Sequence, residues 1–395
     1  MKIETKAVHS ADRQNKTGAA FVPVTTPIYA SSSFLYASTE RLDKVLGHEE
    51  EGFSYSRYEN PTRGALEALV TELEGGAGAV ACCSGMMALQ TALMVALTDR
   101  PKSILAAGAL YGATLNLLTK VLEPLGVETD FVDICDLEAV RAKLGARRYG
   151  CVLMETISNP LLRVGPMAPI AAASHEAGAA LVVDNTFASP MLVRPLELGA
   201  SLVVHSLTKF LSGHGDVMGG AVISDAAHLP ALQALSRVSG PALGPFECYL
   251  TMRGIKTFPL RMERQCLNAC RTASWLEGHP RIAEVHYCGS PSHPDAPTIQ
   301  RLLPANLRGA LVSFEIRGAK KEDVFRFMDR LKVVVRGTSL GDVHSLILYP
   351  VMASHRDLAP KQRERLGIHE GLLRLCLGIE AVEDILADLE QALAG

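Results

Sequence analysis

The sequence predicts an α/β protein: a three-layer α/β/α sandwich with a mainly parallel sheet, followed by a smaller α+β domain. Three observations support this fold class. Between residues 60 and 230, short apolar runs alternate with amphipathic helical patterns, as in parallel strands joined by helices. The strand-like runs are apolar throughout, which is typical of a sheet buried on both faces. A length of 395 residues exceeds one ordinary core and suits two domains, although a single large α/β domain is also compatible with it.

Changes of pattern along the chain predict the domain boundaries. Residues 1–59 include GAAFVPVTTPIYASSSF, which shows no clear period, and we predict an arm that contacts a neighbouring subunit. We predict that residues 60–249 form the sandwich and that residues 250–395 form the C-terminal α+β domain. The sequence contains no internal repeat.

The segments of the sandwich alternate in order between helix and strand. TRGALEALVTELEGGA predicts an amphipathic helix that ends on glycines, and AVACCSGMMALQTALMVAL predicts a strand, a Ser-Gly turn and a long helix. The alternation continues through SILAAGALYGATLNLLTKVLEPLG, VETDFVDICDLEAVRAKLG, CVLMETISNP, IAAASHEAGAALVVDNTFASP and PLELGASLVVHSLTKFLSG. In the C-terminal domain a long helix precedes two predicted strands, ALVSFEI and LLRLCLGI.

Composition and charge argue against several classes of function. The net charge of −3 provides no basic surface for nucleic acid. The chain lacks the run of about eighteen apolar residues that a membrane span needs, and its polar N-terminus has no signal core. The cysteines form no C-x-x-C pair and the histidines no H-x-x-x-H pattern. We therefore expect a cytoplasmic protein with no nucleic-acid partner, no membrane partner and no metal.

Two charged residues follow neighbouring strands of the predicted sheet. Asp184 ends the run LVVD, and Lys209 follows LVVHSLT one strand–helix unit later. Parallel neighbours joined by a right-handed crossover end at the same sheet edge, so these side chains should lie close together. Ligands of open α/β sheets bind beyond this edge. An Asp184–Lys209 ion pair and a catalytic lysine are both compatible with this placement.

Ser84 and Gly85 lie between a predicted strand and a predicted helix and indicate an anion site. The first backbone N–H groups of a helix have no partner within it and lie at its positive end. The chain lacks G-x-x-x-x-G-K-[ST], and in GGAGAV the glycines precede the strand, whereas a dinucleotide fingerprint follows one. We therefore predict a phosphate at Gly85 and Met86 and no nicotinamide dehydrogenase.

Pyridoxal phosphate is one cofactor that uses all of these groups. It needs a lysine for its aldehyde, a carboxylate for its pyridine nitrogen and donors for its phosphate. Lys209 would form the Schiff base, and Asp184 would keep the ring nitrogen protonated. The hydroxyls of Ser206 and Thr208 would reach the phosphate. Tyr111, in the loop of ALYGAT, would stack on the ring unless it is an ordinary loop tyrosine.

These residues and several longer motifs resemble the pyridoxal-phosphate enzymes of cysteine and methionine metabolism. The family includes cystathionine γ-synthase, cystathionine γ-lyase, methionine γ-lyase and relatives acting on O-acylhomoserine. The similarity covers nearly the whole chain and is carried, in the family's order, by TTPIYASSSF, YSRYENPT, SGMMA, LYGAT, ETISNP, VVDNTFASP, SLTKFLSGHGDVMGG, GPFECYLTMRGIKTFPLRM and GLLRLCLGIE. It implies the fold type I, aspartate-aminotransferase-like architecture.

The resemblance implies a role for each matching residue. Catalysis would belong to Lys209, Tyr111 and Asp184. The cofactor would be held by Tyr55, Arg57, Gly85, Met86, Tyr111, Asp184, Thr186, Ser206, Thr208 and Lys209. The substrate carboxylate would be bound by Asn159, Ser339 and Arg374. An arginine in the apolar strand LLRLCL agrees with this role, although a structural ion pair would also justify its burial.

The resemblance also implies an assembly. In the family, the tyrosine and arginine of the YSR motif reach the cofactor phosphate of a neighbouring subunit. Tyr55 and Arg57 therefore imply a dimer that shares its active sites, and the usual assembly is a homotetramer made of two such dimers. This expectation also accounts for the irregular N-terminal arm.

The substrate is harder to predict than the chemistry. Methionine γ-lyases carry a cysteine after YG, where this chain has Ala113, and cystathionine enzymes carry a glutamate before SLG, where it has Thr338. His344 replaces an acidic residue of the same stretch, while GPFECYL favours the cystathionine branch. We expect cystathionine γ-lyase or γ-synthase chemistry, with methionine γ-lyase-like or O-acylhomoserine sulfhydrylase activity as the alternative. Transamination and β-elimination are further possibilities, and dependence on a keto-acid partner would reveal such a reaction. A cofactor-free binding protein would show no yellow absorbance, and borohydride would trap no cofactor on Lys209.

Overall fold

The protein is described from a computed structural model that covers residues 1–12, 22–356 and 359–394. Two short helices, α1 (Ile3–His9) and α2 (Thr39–Leu46), precede the main body of the chain. Residues 13–21, part of the predicted irregular arm, lie outside the described residues. Within the described residues, none of the helices combines the length and the apolar character that crossing a membrane requires.

Seven strands form the large sheet that the sequence predicts. They are β1 (Gly78–Cys82), β2 (Ser103–Ala107), β3 (Glu128–Val132), β4 (Cys151–Glu155), β5 (Ala180–Asp184), β6 (Leu202–Ser206) and β7 (Gly220–Ser224). Their spatial order is β1-β7-β6-β5-β4-β2-β3, and β7 alone runs against its neighbours. Every residue of β2, β4 and β7 is buried, as expected for a sheet covered on both faces.

Helices alternate with these strands, and polar caps fix where several of them begin. The connecting helices are α3 (Pro61–Glu74), α4 (Gly85–Ala96), α5 (Gly112–Asn116), α6 (Leu137–Ala146), α7 (Met167–Glu176), α8 (Ser189–Leu192) and α9 (Leu229–Ser239). A π-helical turn (Leu117–Leu122) and two 3-10 turns (Glu123–Leu125, Pro195–Leu198) complete them. The Asn60 side chain caps α3 by accepting from two backbone amides, and Gly75 ends that helix in the left-handed region, at φ 71°.

The C-terminal part of the chain builds a second sheet. Its elements are α10 (Pro245–Ile255), α11 (Phe258–Glu277), β8 (Ile282–His286), α12 (Ala296–Leu302), β9 (Leu311–Ile316), α13 (Lys321–Arg330), β10 (Val335–Arg336), β11 (Leu346–Leu348), α14 (Pro360–Arg365), β12 (Leu372–Cys376) and α15 (Val382–Leu393). The strand order is β10-β11-β12-β9-β8, with β12 antiparallel to both of its neighbours.

Two hydrophobic clusters underlie the two sheets. The larger cluster surrounds the seven-stranded sheet and takes in α10 and the first half of α11, down to Cys266. The smaller cluster begins at Ala269 of the same helix and fills the space around the five-stranded sheet. Helix α11 is therefore common to both cores. The predicted domain limits at residues 59/60 and 249/250 stay predictions.

Candidate active site

Lys209 lies in the turn that follows β6, at the sheet edge where the sequence predicts ligand binding. Its side chain is partly buried, and its Nζ donates a hydrogen bond to Ser339 Oγ at 2.8 Å. Burial and, to a smaller extent, the nearby cationic Arg374 lower the pKa of Lys209 to about 8. A lysine with this pKa supplies a neutral, nucleophilic amine far more readily than an exposed one.

Asp184 ends β5, the strand next to β6, and Thr186 joins the two strand ends. The backbone N–H of Thr186 donates to Asp184 Oδ1 at 3.0 Å, while Thr186 Oγ1 accepts from the N–H of Ser206 at 2.9 Å. Burial raises the pKa of Asp184, and the hydrogen bonds from Thr186 oppose that rise. This aspartate therefore gains from a cationic partner that faces it.

The start of α4 offers free backbone donors beside the same edge. Ser84 caps the helix by accepting from the Met87 N–H at 3.1 Å. Across the described ranges, the N–H groups of Gly85 and Met86 have no acceptor. Gly85 lies against Ser206, because a Cβ added to the glycine would be only 2.8 Å from the Ser206 Cβ. The geometry is that of an anion cradle at a helix N-terminus.

Thr208 is held in place by Gly219, the residue that directly precedes β7. Its Oγ1 accepts from the Gly219 N–H at 3.0 Å and lies 3.3 Å from the Gly219 carbonyl oxygen, to which it donates. Gly220, the first residue of β7, has no room for a side chain, since its Cβ would be 2.2 Å from the Ser84 carbonyl oxygen. The close packing of β7 therefore brings Ser84, Ser206 and Thr208 to one end of the sheet.

Arg374 lies in β12 of the second sheet and approaches the site from the other side. Its Nη1 donates to Asn159 Oδ1 at 3.0 Å, and its Nη2 lies 3.5 Å from the Ser339 carbonyl oxygen. Burial lowers the pKa of Arg374 to about 10, so the guanidinium stays charged at neutral pH. Among the residues that the structure describes, its buried Nε has no hydrogen-bond partner. A buried cation with a spare donor is suited to a carboxylate ligand.

Ser339 connects the lysine and the arginine. Its hydroxyl accepts from Lys209 Nζ, and its backbone carbonyl faces Arg374. The arginine also lies over the ring of Phe187, with 5.7 Å between the guanidinium carbon and the ring centroid. Groups from both sheets thus meet in one site.

Tyr111 directly precedes α5 and is 43% exposed, so its ring is accessible to a ligand. Its backbone N–H donates to Glu155 Oε1 at 2.7 Å. Sequence reasoning overlooked Glu155, although it shares the signal that identified Asp184: an acidic residue at the end of an apolar strand. The two residues are directly paired across β4 and β5.

Tyr55 and Arg57 lie in a separate, exposed region. The Arg57 guanidinium lies over the rings of Tyr58 and Tyr55, with its central carbon 4.5 and 5.7 Å from their centroids. It also donates to the Arg237 carbonyl oxygen. Tyr55 is 45% exposed. That Tyr55 and Arg57 bind the cofactor phosphate of a neighbouring subunit stays a prediction.

The three positions that the sequence ties to substrate choice differ in exposure. Ala113 lies partly buried in α5, while Thr338 and His344 are exposed near the turn that carries Ser339. His344 has an acidic neighbour on this surface, because its Nδ1 lies 3.2 Å from Asp342 Oδ1.

The residues present fit pyridoxal phosphate. The orphaned N–H groups of Gly85 and Met86 and the hydroxyls of Ser206 and Thr208 suit its phosphate. The lowered pKa of Lys209 suits an aldehyde partner. The raised pKa of Asp184 suits a cationic ring nitrogen that would compensate for its burial.

Comparisons with known proteins agree with the fold and the site. The model of the family described as Cys/Met metabolism PLP-dependent enzyme matches residues 4–394. The chain is 38% identical over 393 residues to L-methionine gamma-lyase of Pseudomonas putida, across 98% of this chain and 96% of that protein. It is 40% identical over 395 residues to cystathionine gamma-lyase of Bacillus subtilis, across 100% and 99%.

A solved structure extends the likeness to three dimensions. Cystathionine gamma synthase from Xanthomonas oryzae pv. oryzae, in complex with cystathionine, aligns with a TM-score of 0.92 and 35% sequence identity. The alignment covers 100% of this chain and 98% of that chain. The predicted fold class, including its fold type I architecture, is confirmed.

Proposed function

Because the chain belongs to the pyridoxal-phosphate-dependent enzymes of cysteine and methionine metabolism, we propose that it removes or replaces the γ-substituent of a sulfur amino acid. The chain is a pyridoxal-phosphate-dependent lyase or transferase of transsulfuration, and its substrate is an amino acid. Our preferred reaction is of the cystathionine γ-lyase or cystathionine γ-synthase type. One observation carries the proposal: Ser339 contacts both the amine of Lys209 and the guanidinium of Arg374.

Bound pyridoxal phosphate supplies an electron sink for negative charge at the α-carbon of an amino acid. The Gly85 and Met86 amides and the Ser206 and Thr208 hydroxyls would hold its phosphate. Asp184, oriented by Thr186, would face the ring nitrogen. These roles rest on the resemblance and on the free donors described above.

Lys209 and Tyr111 would handle protons. The neutral Nζ of Lys209, favoured by its lowered pKa, would hold the cofactor and then remove the α-proton. Tyr111 would stack on the ring, and its hydroxyl or Lys209 Nζ would protonate the departing γ-group. Catalysis would therefore belong to Lys209, Tyr111 and Asp184, three residues at one edge of the sheet.

Arg374 and Asn159 would orient the substrate. The guanidinium would bind the substrate carboxylate through its unpartnered Nε, while Asn159 and the Ser339 backbone complete the grip. Fixing the carboxylate holds the α-carbon near Lys209, which is the geometry that proton removal requires.

We also propose a homotetramer, built from dimers that share active sites, in the cytoplasm. Tyr55 and Arg57 would bind the cofactor phosphate of the neighbouring subunit. Their exposure in the single chain supports this role, because a phosphate-binding arginine needs an anion that the described chain does not offer it there.

Methionine γ-lyase-like or O-acylhomoserine sulfhydrylase activity is the second candidate. The likeness to the Pseudomonas putida methionine gamma-lyase favours it, and so does Thr338, which places no acidic group beside Ser339. Ala113, where methionine γ-lyases carry a cysteine, argues against it.

A product assay on the purified holoenzyme tests the proposal. The substrates are L-cystathionine, L-methionine and an O-acylhomoserine with and without cysteine, and the products scored are 2-oxobutanoate, cysteine and cystathionine. We expect turnover of cystathionine, or its formation, with Lys209→Ala inactive. Turnover of none of the three would overturn the proposal, and exclusive turnover of methionine would favour the second candidate.

A further inference from the structure

Glu155 is a buried carboxyl group in the centre of the site. It ends β4, pairs directly with Asp184 of β5, and is 9% exposed. Within the described ranges, no lysine or arginine forms an ion pair with it. A buried carboxyl group without a close cation is costly unless hydrogen bonds satisfy its oxygens. The placement of those hydrogen bonds indicates what the residue does.

The two oxygens of Glu155 accept from two different loops. Oε1 accepts from the backbone N–H of Tyr111 at 2.7 Å, and Oε2 accepts from the backbone N–H of Asn159 at 3.2 Å. Tyr111 lies at the start of α5, whereas Asn159 follows β4 itself. One side chain therefore fixes the backbone of both residues.

The contact with Asn159 continues to the arginine. Asn159 Oδ1 accepts from Arg374 Nη1 at 3.0 Å, so Glu155 is two hydrogen bonds away from the guanidinium. Through Tyr111 it reaches the ring that would stack on the cofactor. The connection to the arginine runs through buried groups, because Asn159 is 2% and Arg374 is 3% exposed.

We propose that Glu155 is a positioning residue. It fixes the position of the Tyr111 ring relative to the Asn159–Arg374 pair. This inference rests on the proposed function of those three residues. Glu155 does not touch the reacting atoms. Its effect is to align the face that covers the cofactor with the group that grips the substrate carboxylate.

The surroundings of Glu155 shift the pKa of its carboxyl group well away from the ordinary value. Burial and, to a smaller extent, the neighbouring Asp184 raise the pKa of Glu155 to about 8. The N–H groups of Tyr111 and Asn159 and the charge of Arg374 act in the opposite direction. A residue that served only the core would be more stable as an apolar side chain.

Glu155→Gln tests the inference, because an amide has only one acceptor oxygen for two N–H donors. Asp388→Asn is the matched control: Asp388 is also buried and accepts from the backbone N–H groups of Lys332, Val333 and Val334, each at 2.8 Å, around the second sheet. Both changes remove one acceptor oxygen from a buried carboxyl group that binds backbone amides, and measurement above pH 8 compares the variant with ionised Glu155.

The readouts are visible circular dichroism of the bound cofactor and the affinity for glycine, measured from the visible absorbance change. Glycine carries the carboxylate but no γ-group, so this experiment is independent of which sulfur substrate the enzyme uses. For Glu155→Gln we expect an altered dichroic band and roughly tenfold weaker glycine binding, the effect of one lost hydrogen bond. Asp388→Asn should lower thermal stability and leave both readouts unchanged.

Wild-type dichroism and glycine affinity in Glu155→Gln would overturn the inference, and so would equal changes in Asp388→Asn. If Glu155→Gln does not fold, Glu155→Asp replaces it, because a side chain one methylene shorter cannot reach both amides. Unchanged glycine affinity in Glu155→Asp would overturn the inference as well. Failure of the product assay with normal glycine binding would count against the proposed reaction alone.

Discussion

Gly85 lies so close to Ser206 that a Cβ added to the glycine would be 2.8 Å from the Ser206 Cβ and 3.0 Å from its Oγ. Real side chains do not approach each other so closely. Gly85 therefore brings the N-terminus of α4 against the end of β6. The first prediction concerns this contact.

Gly85→Ala should weaken both the fold and the cofactor site. Overpacking at such a contact costs about 1–3 kcal/mol in the free energy of unfolding, and displacement of the helix should weaken pyridoxal phosphate binding. Gly64→Ala is the control, because Gly64 lies within α3 with open space around its Cα and should gain up to ~1 kcal/mol. Urea unfolding and cofactor titration measure both variants. Wild-type cofactor affinity in Gly85→Ala would contradict the proposed phosphate cradle.

The lowered pKa of Lys209 should determine how cofactor capture depends on pH. Only the neutral amine attacks an aldehyde, so the rate at which apoenzyme takes up pyridoxal phosphate should rise through pH about 8 and then level off. An ordinary lysine would give a rise near 10.5. Because the Arg374 charge lowers this pKa, Arg374→Met should move the rise to higher pH. Absorbance after mixing measures the rate, and a rise near 10.5 in the wild type would exclude an activated lysine.

Arg374→Met should also weaken substrate binding more than it slows turnover. Loss of a buried, charge-assisted contact with a carboxylate should raise KM roughly 100-fold. Arg308→Met is the control, because Arg308 also donates to backbone carbonyls, at 3.0 and 3.2 Å, but contacts α12 and the residue after it. Steady-state kinetics with each variant measures the difference. An unchanged KM in Arg374→Met would exclude the proposed carboxylate grip.

A mixing experiment tests the shared active site. Arg57→Ala should lose cofactor on dialysis, and Lys209→Ala should be inactive. When the two variants are unfolded together and refolded as random dimers, about one quarter of the sites should combine an intact Lys209 with an intact Arg57. Recovery of activity in the mixture, but in neither variant alone, supports the dimer. No recovery from well-folded dimers would contradict it.

Arg261 should control the turn that carries the lysine. Its guanidinium donates to the backbone carbonyls of Phe210, Leu211 and Gly254, at 2.9, 3.2 and 2.9 Å. Arg261→Met removes the guanidinium donor from the carbonyls of Phe210 and Leu211, whereas Gly254 still accepts from Thr257. The cost should be about 2–4 kcal/mol. Lys209 directly precedes Phe210, so loss of this contact should loosen the turn that carries the lysine. The cofactor should therefore dissociate faster. Chemical unfolding and dialysis measure both effects, and wild-type retention would show that the turn does not depend on Arg261.

The arrangement of strand ends was predictable from the sequence, since apolar runs and parallel connections limit where Asp184 and Lys209 can lie. In the structure, β5 and β6 are parallel neighbours, and Thr186 joins their ends. The burial of Arg374 was also predictable, because its strand is apolar on either side of it. The motifs that resemble the family then predicted which role each of these residues has.

The position of Glu155 at a strand end was predictable in the same way, but its hydrogen-bond partners and the burial of Arg261 were not. The partners of Glu155 depend on the paths of two loops, which no local pattern specifies. Arg261 lies in a long amphipathic helix, where a charged residue normally faces solvent. It is buried because Gly213, at φ 68°, leaves space for the guanidinium, and a Cβ there would be 1.9 Å from Arg261 Nη1.

The division of the site between two sheets has an evolutionary consequence. Apart from Tyr55 and Arg57, the groups proposed to hold the cofactor lie at or after the ends of strands of the first sheet. Ser339 and Arg374, two of the three groups proposed to bind the substrate carboxylate, belong to the second sheet or its connections. Natural selection can therefore exchange the C-terminal segment without rebuilding the cofactor cradle. Chimeras that swap residues 335–380 between relatives should inherit substrate preference from the donor of that segment.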